Sequence, residues 1–410
     1  MAVNASFDAQ FLNIPIRALF INGALFPVVV REVTVSRSAG AHDAISMSVL
    51  IQGELTFDGN LRLPVDEPTA LSRTRDVSPQ SLPGQPVNFT YGVAPQVEQF
   101  YGYVVSITPD QQFKQGLNFV ITMVGATLAL QQVNRRFYTN VSIPQLVKKC
   151  VDRAGLGFDL AVSDSIVGYQ WPSLGVTTET DWSLINGLAN WAGCLVFNWN
   201  GVVRLADAAE LFRMYPFTSL VSSDDVLESD RKLMDFKPTE QTAEQVSKAP
   251  QVFYFFDGSG TVVSHKQPTT DSNPQHVPFY NSPVKNRQEA ELYSNASAKS
   301  MSRWLQNATA RIKGDASIYP GVTVEINTGT RSATAKYNGR WLVVSVKHSM
   351  KRDAFATELA LVRPGASIPT LVKSSFEHFW RNSPKARPAL ALRSDKWMSS
   401  WAEPYVEVAV

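Results

Sequence analysis

Alternation of apolar and polar residues governs the first third of the chain. Over 28–36 (Val-Val-Val-Arg-Glu-Val-Thr-Val-Ser) and 44–51 (Ala-Ile-Ser-Met-Ser-Val-Leu-Ile) the apolar positions recur with period two. That is the pattern of a half-buried strand, whose successive side chains face opposite sides. Residues 38–43 (Ser-Ala-Gly-Ala-His-Asp) read as the turn between them. A polar, proline-containing stretch over 63–86 carries little periodicity and reads as a long loop. Strands are expected again at 87–91, 100–107 and 117–124.

The period changes near residue 142. Ile143, Leu146, Val147, Cys150 and Val151 fall at helical spacing, with Ser142 as N-cap, Pro144 in the first turn and Gly155 and Gly157 as terminators. A second helix is expected over 182–191, capped by Thr180 or Asp181 and stopped by Gly193. Two short runs, 194–199 and 202–206, flank Asn200-Gly201, a strong hairpin signal. The segment therefore reads as a small α/β module.

Strand patterns then return. Residues 251–256 and 261–264 flank Asp257-Gly-Ser-Gly260 as a hairpin, 267–286 is a Pro-, Asn- and Ser-rich loop, and 287–304 is expected to be helical. Further strands are expected at 308–313, 322–327, 339–346 and 355–362. Beyond 363 the chain holds Pro364, Pro369, Pro384, Pro388 and Pro404 together with Trp380, Trp397 and Trp401. Such a tail resembles an arm that packs on something else.

The two β regions echo one another. The first runs Val87 to Tyr91, Gly102, Val104-Val-Ser-Ile107, then a closing strand from Phe119. The second runs Val322 to Ile326, Gly339, Val343-Val-Ser-Val346, then a closing strand from Phe355. The Gly-to-Ser spacing is longer by two in the second, which preserves strand phase. The expected class is a β-rich α+β fold. Two related barrel-like β domains (1–130 and 226–363) flank an α/β module (131–225), and an irregular arm (364–410) follows. Three such chains around an axis would place six comparable domains in a ring.

At 410 residues, two to four domains are expected. Apolar residues make up 44% and charged ones 18%, enough for packed cores and too little charge for a disordered chain. The net charge of +2, with Lys and Arg scattered, gives weak support for binding a polyanion. The apolar run 11–30 is broken by Asn13, Pro15, Arg17, Asn22, Gly23 and Pro27, so no membrane anchor is expected. Residues 1–10 lack the marks of a secretory signal, which points to synthesis in a cytoplasm.

Candidate chemistry is sparse. Cys150 and Cys194 lack zinc or disulfide spacing and read as small buried hydrophobes. His348, beside Lys347 and Lys351, has no carboxylate or second His at ligand spacing, and reads as a structural, hydrogen-bonding His. His42, His265, His276 and His378 lie far apart. Glu179 and Asp181 sit where acids stabilise a helix start, in preference to forming a glycosidase pair. Gly321 and Gly339 read as turn residues, and Trp182, Trp191 and Trp341 as core. The Asp257 turn matches neither a phosphate nor a calcium loop. No cofactor, metal or catalytic residue is expected.

Three segments carry a family resemblance. These are Ile318-Tyr-Pro-Gly-Val-Thr-Val324, Tyr337-Asn-Gly-Arg-Trp-Leu-Val-Val-Ser-Val-Lys-His348 and Phe355-Ala-Thr-Glu-Leu-Ala-Leu361. With Asp181-Trp-Ser-Leu-Ile-Asn-Gly-Leu-Ala-Asn-Trp-Ala-Gly193, they resemble the phage tail baseplate hub family, which includes late control protein D and the N-terminal region of VgrG spike proteins. The motif positions are Gly102, Trp182, Gly193, Pro320, Gly321, Gly339, Trp341 and His348. The resemblance spans about residues 20–363 and carries no catalytic fingerprint.

It implies a homotrimer in the virion baseplate whose paired tube domains imitate six subunits of the tail tube above and taper to the central spike below. Other baseplate proteins would be neighbours, and DNA would pass through the channel without specific binding. Trp380, Trp397 and Trp401 become possible partner contacts. No spike repeat or hydrolase domain is expected after residue 362, so a spike or hydrolase is expected to be a separate protein. A tail-associated cell-wall hydrolase and a receptor- or glycan-binding tail protein are the alternative readings.

Overall fold

The computed structural model describes residues 16–51, 54–55, 61–64, 74–93, 96–109, 118–133, 135–162, 164–176, 178–222, 232–240, 251–256, 262–266, 275–278, 288–289, 292, 306–329, 332–351, 354–363 and 405–407. Its first unit is built from β1 (Ile16–Ile21), β2 (Val28–Ser38), β3 (Ala44–Ile51), β4 (Pro86–Val93), β5 (Gln96–Pro109) and β6 (Asn118–Gly125). They hydrogen-bond antiparallel in the order β2-β3-β6-β5-β4-β1. The alternation read from the sequence is the burial pattern seen. Val33, Val35, Ile45, Met47 and Val49 enter one core with Leu19, Phe89 and Ile121, while Glu32, Ser36 and Ser46 face out. Burying each such aliphatic side chain contributes roughly 1.5–3 kcal/mol.

Part of the expected loop at 63–86 is strand. Glu54–Leu55, Leu61–Pro64 and Thr74–Val77 form a small antiparallel sheet, and Leu61 and Leu63 join the core beneath it. Strands of two to four residues are too short for a period to register in sequence.

The insert follows as β7 (Arg136–Ser142), α1 (Ile143–Arg153), β8 (Gly157–Ala161), β9 (Gln170–Val176), α2 (Asp181–Trp191), β10 (Leu195–Trp199), β11 (Val202–Ala206) and α3 (Ala208–Arg213). Ser142 and Gln145 cap α1 reciprocally. Of the two candidate caps for α2, Thr180 accepts from the Ser183 N–H at 3.1 Å. Asp181 instead pairs with Arg153 at 3.2 Å and ties α2 to α1. Asn200 and Gly201 both have positive φ (49° and 80°), as the tight hairpin between β10 and β11 requires. β8 runs parallel to β11. The backbone of Tyr405–Glu407 runs parallel beside β7, so the end of the expected arm adds a strand to the insert. Cys150 and Cys194 are both buried, and burial pushes the Cys150 thiol pKa up.

The last unit comprises β12 (Thr218–Val221), β13 (Leu233–Glu240), β14 (Gln306–Lys313), β15 (Thr323–Asn327), β16 (Gly339–Met350) and β17 (Phe355–Arg363). Their order is β13-β14-β17-β16-β15-β12. The expected hairpin after residue 250 is present as Gln251–Phe256 against Val262–Lys266. Of the expected helix at 287–304, residues 288, 289 and 292 are described, all helical.

The two β units are copies of one plan. The order β2-β3-β6-β5-β4 repeats as β13-β14-β17-β16-β15, and only the outermost strand differs, β1 pairing antiparallel and β12 parallel. The irregularities repeat too. Arg31 is the extra residue of a bulge in β2, and Met234 is the extra residue at the same point of β13. Val105 in β5 and Val344 in β16 form a second matched pair of bulges. Gly84 (φ 83°) and Gly321 (φ 92°), each after a proline, donate their N–H groups to Val104 at 2.7 Å and Val343 at 2.8 Å. Bulges are designed features of a strand, so two matched pairs mark a common pattern.

The details refine the sequence alignment. Val104-Val-Ser-Ile107 and Val343-Val-Ser-Val346 correspond as read, but Val87 matches Val324, two residues later than expected. Gly102 and Gly339 are not equivalent. A Cβ on Gly102 would lie 2.1 Å from the Val124 carbonyl oxygen, whereas Gly339 is needed for its φ of 116°. A slip of two leaves the side-chain faces unchanged, so periodicity cannot detect it.

Candidate functional site

β16 joins the two units. Its first half pairs with β15, and its second half pairs with β2 of the other unit, placing Val346 opposite Arg37, His348 opposite Val35 and Met350 opposite Val33. One sheet therefore runs β13-β14-β17-β16-β2-β3-β6-β5 across both units. On its core side at the junction lie Val33, Val35, Arg37, Val346, His348 and Met350, all buried.

Two of these six are polar, and each has a built environment. The Arg37 guanidinium approaches Asp43 at 3.5 Å and donates to Asn200 Oδ1 of the insert at 3.3 Å, with the Tyr91 ring 6.0 Å away. Burial opposes its charge, but Tyr91, Asp43 and Glu98 more than offset that and raise its pKa. Burial pushes the Asp43 carboxyl up to about 7 against the pull of Arg37. The Arg37 cluster thus ties both β units and the insert to one point. His348 shares a hydrogen bond with Thr357 Oγ1 at 2.9 Å and packs 5.8 Å from Tyr91 and 5.9 Å from Phe355. Burial, with Arg37 nearby, holds its pKa down at about 3. Its ring is buried among packed side chains and is held toward the neutral form.

The opposite side of the sheet is polar. Glu32, Ser36, Ser46, Thr108, Thr309, Arg311, Lys347 and Glu358 are exposed on it. Register lines up one rung of alternating charge across four strands: Lys347 (β16), Glu358 (β17), Arg311 (β14) and Asp235 (β13) are successive cross-strand neighbours. Asp235 also pairs with Lys237 at 2.8 Å. Opposite charges on facing strands stabilise by roughly 0.2–1 kcal/mol per pair. The charges largely cancel within the face, and the first unit contributes mostly hydroxyl and small apolar groups, among them Thr34, Ser48, Val120 and Thr122.

The motif residues of the sequence fall into two groups. Pro320, Gly321, Gly339, Trp341 and His348 gather around β15 and β16. Trp341 is fully buried, donates to the Tyr337 carbonyl at 3.0 Å and carries the Arg363 guanidinium 4.5 Å over its ring. Trp182 and Gly193 bound α2. Trp182 stacks on His42 at 4.6 Å, fastening the insert to the β2–β3 turn, and Gly193 (φ 67°) ends the helix. Gly102 sits alone in β5. Trp380, Trp397 and Trp401 lie outside the described residues. The sequence reading missed Arg37, whose signal was its phase: it follows Val33 and Val35 on the core side.

Among the described residues, no group of three or more His, Cys, Asp or Glu could hold a metal ion, and no helix is long and apolar enough to cross a membrane. What this arrangement offers chemically is a stiff, continuous, nearly neutral polar wall.

Comparison with known proteins agrees with such a part. The fold resembles the 43 kDa tail protein of prophage MuSo2 from Shewanella oneidensis (TM-score 0.58, 13% identity, covering 85% of this chain and 98% of that one). It equally resembles a tail protein from Neisseria meningitidis MC58 (TM-score 0.58, 13% identity, 86% and 97%). The E. coli c3393 protein, a component of the type VI secretion system, is also similar (TM-score 0.53, 11% identity, 86% and 80%). No curated protein sequence matches the chain. Residues 56–354 match the family described as phage tail baseplate hub (GPD). The chain belongs to that phage tail baseplate hub family, and its role is that of a structural tail hub.

Proposed function

We propose that the protein is a homotrimeric symmetry adapter that joins a hexameric tail tube to a central spike and lines the channel between them. One observation carries this reading: a single chain holds the same sheet twice, down to two matched bulges, and fuses the copies through β2 and β16. Three chains then present six similar faces to a tube and three to a spike. The division follows as tube-like domains at 1–130 and 226–363, an insert at 131–225 and an arm at 364–410, whose Trp380, Trp397 and Trp401 contact the spike or another baseplate protein.

The polar side of the sheet is the channel wall. A wall that lets DNA slide must not hold phosphates, and the alternating rung of Lys347, Glu358, Arg311 and Asp235 offers no unopposed basic stripe. The role is mechanical and non-enzymatic, exercised in the virion tail after synthesis in the host cytoplasm.

Electron microscopy of the purified protein, viewed down its axis, tests the reading. Threefold rings that bind tube protein are expected. A monomer at high concentration that ignores tube protein would overturn it, as would clearing of host peptidoglycan by the protein, lost on changing one acidic residue.

A further inference from the structure

Four Asn-Gly pairs occur in the chain, at 22–23, 186–187, 200–201 and 338–339. Each carries a latent reaction, because glycine has no side chain to shield its main-chain nitrogen from the amide carbon of the asparagine before it. The pairs are alike in sequence, and the fold separates them. Reaction needs an amide free to turn and a backbone free to follow it.

Three of the four are held. Asn186 lies within α2, where its amide donates to the Trp182 carbonyl at 3.0 Å. Asn200 is 2% exposed; its side-chain carbonyl accepts from Arg37 at 3.3 Å and its amide donates to Glu98 at 3.4 Å. The Asn338 side-chain carbonyl accepts from both the N–H and the hydroxyl of Thr328, each at 2.9 Å, and its amide donates to the Gly329 carbonyl at 3.5 Å.

Asn22 is different. It and Gly23 are exposed at the tip of a two-residue hairpin in which Ile21 pairs with Ala24. Both have positive φ, 52° and 79°, as such a turn requires. Among the described residues, nothing hydrogen-bonds to the Asn22 side chain and nothing accepts from the Gly23 N–H. Even a Cβ added at Gly23 would meet nothing within 4 Å, so a ring can close there without displacing a neighbour. Turn tips are also where a fold opens at least cost.

We propose that Asn22 is a site of spontaneous covalent modification, converting to aspartate and isoaspartate in the folded protein with water as the only co-reactant. The Gly23 nitrogen loses its proton to solvent base and bonds to Asn22 Cγ. The Cγ–Nδ2 bond breaks, and the side-chain nitrogen takes a proton from water and leaves as ammonia. Water then opens the cyclic imide at one of its two carbonyls. Opening at Cγ gives aspartate. Opening at the main-chain carbonyl gives isoaspartate, whose backbone runs through Cγ and is longer by one methylene. A two-residue turn has no slack for it, so the Ile21–Ala24 rung is lost in that form. β1, the outermost strand of the first unit, then frays from the end where the Asn22 N–H is tied to the Pro86 carbonyl at 2.8 Å.

The reaction needs no partner, so its failure would leave the hub reading untouched. Peptide mapping by mass spectrometry tests it on the full chain, stored at mildly alkaline pH with and without urea. In the folded protein, the Asn22 peptide should convert at least about tenfold faster than those holding Asn186, Asn200 or Asn338, the gap that local protection by structure supplies. Enzymatic methylation of isoaspartate should label the Asn22 peptide alone. In urea the four rates should converge, which shows that the fold and not the sequence sets the difference. Equal conversion at any of the other three in the folded protein overturns the proposal. So does an Asn22 that converts in urea and stays intact in the folded chain.

Discussion

The imidazole of His348 lies 5.8 Å from the ring of Tyr91, and with that contact a strand of the second β unit completes the core of the first. The neutral state of His348 is part of the packing, which gives stability a pH dependence. An unfolded imidazole takes up a proton near pH 6.5, while the buried one resists until about pH 3. Between those values the unfolded chain holds the extra proton. The stabilising contribution is thus complete above pH 6.5 and is lost as pH falls toward 3, at roughly 1.4 kcal/mol per pH unit. Asp43, raised to about 7, acts with opposite sign over part of that range, but equally in wild type and variant. Urea unfolding at pH 7 and pH 5 should show wild type losing about 1–2 kcal/mol more than His348→Gln. Equal losses would refute the assignment.

Asp43→Ala leaves the Arg37 guanidinium buried without its carboxylate. Breaking such a pair costs about 3 kcal/mol, whereas replacing both partners with apolar groups costs far less. Denaturant midpoints should rank wild type, then Arg37→Met/Asp43→Leu, then Asp43→Ala. If the double variant were the least stable, the pair would have to be net stabilising in its own right.

Two glycines should respond oppositely to alanine. Gly321 has a φ of 92°, and a Cβ there would sit 3.1 Å from the Phe197 ring, so Gly321→Ala should lower stability by about 1–3 kcal/mol. Gly187 lies within α2, where an added methyl group would meet nothing within 4 Å, so Gly187→Ala should raise it by about 0.4–1 kcal/mol. Thermal melts of both variants decide the matter.

The charge rung makes a prediction about DNA. Asp235→Lys/Glu358→Lys turns the rung wholly basic, so the variant should retard duplex DNA on a gel and release it as salt rises. The wild-type protein should leave DNA unshifted at about 0.15 M salt, where exposed charges are screened beyond ~8 Å. Retention by wild type would count against a wall along which DNA slides.

Much of this fold was legible in residue order. The bulge-bearing Val-Val-Ser repeats at 104 and 343, the Asn200-Gly201 hairpin and the Ser142 cap each follow from local rules, and each stands where read. The pairing of β2 with β16 was not legible, because partners some 300 residues apart leave no local trace. Arg37 hid for a related reason: its neutralising groups, Asp43 and Asn200, come from a turn and from the insert. The strands at 61–64 and 74–77 were simply too short to show a period.

The rung of alternating charge sits entirely on the second unit's strands, while the matching rung of the first unit, Glu32, Ser48, Val120 and Thr108, carries a single charge. In a closed assembly of three chains the backbone outline would repeat every sixty degrees, but the ionic texture only every hundred and twenty. A partner gliding down such a bore would meet alternating sectors, salty and bland. The descent from sixfold to threefold order would then be written in side chains well before the architecture narrows.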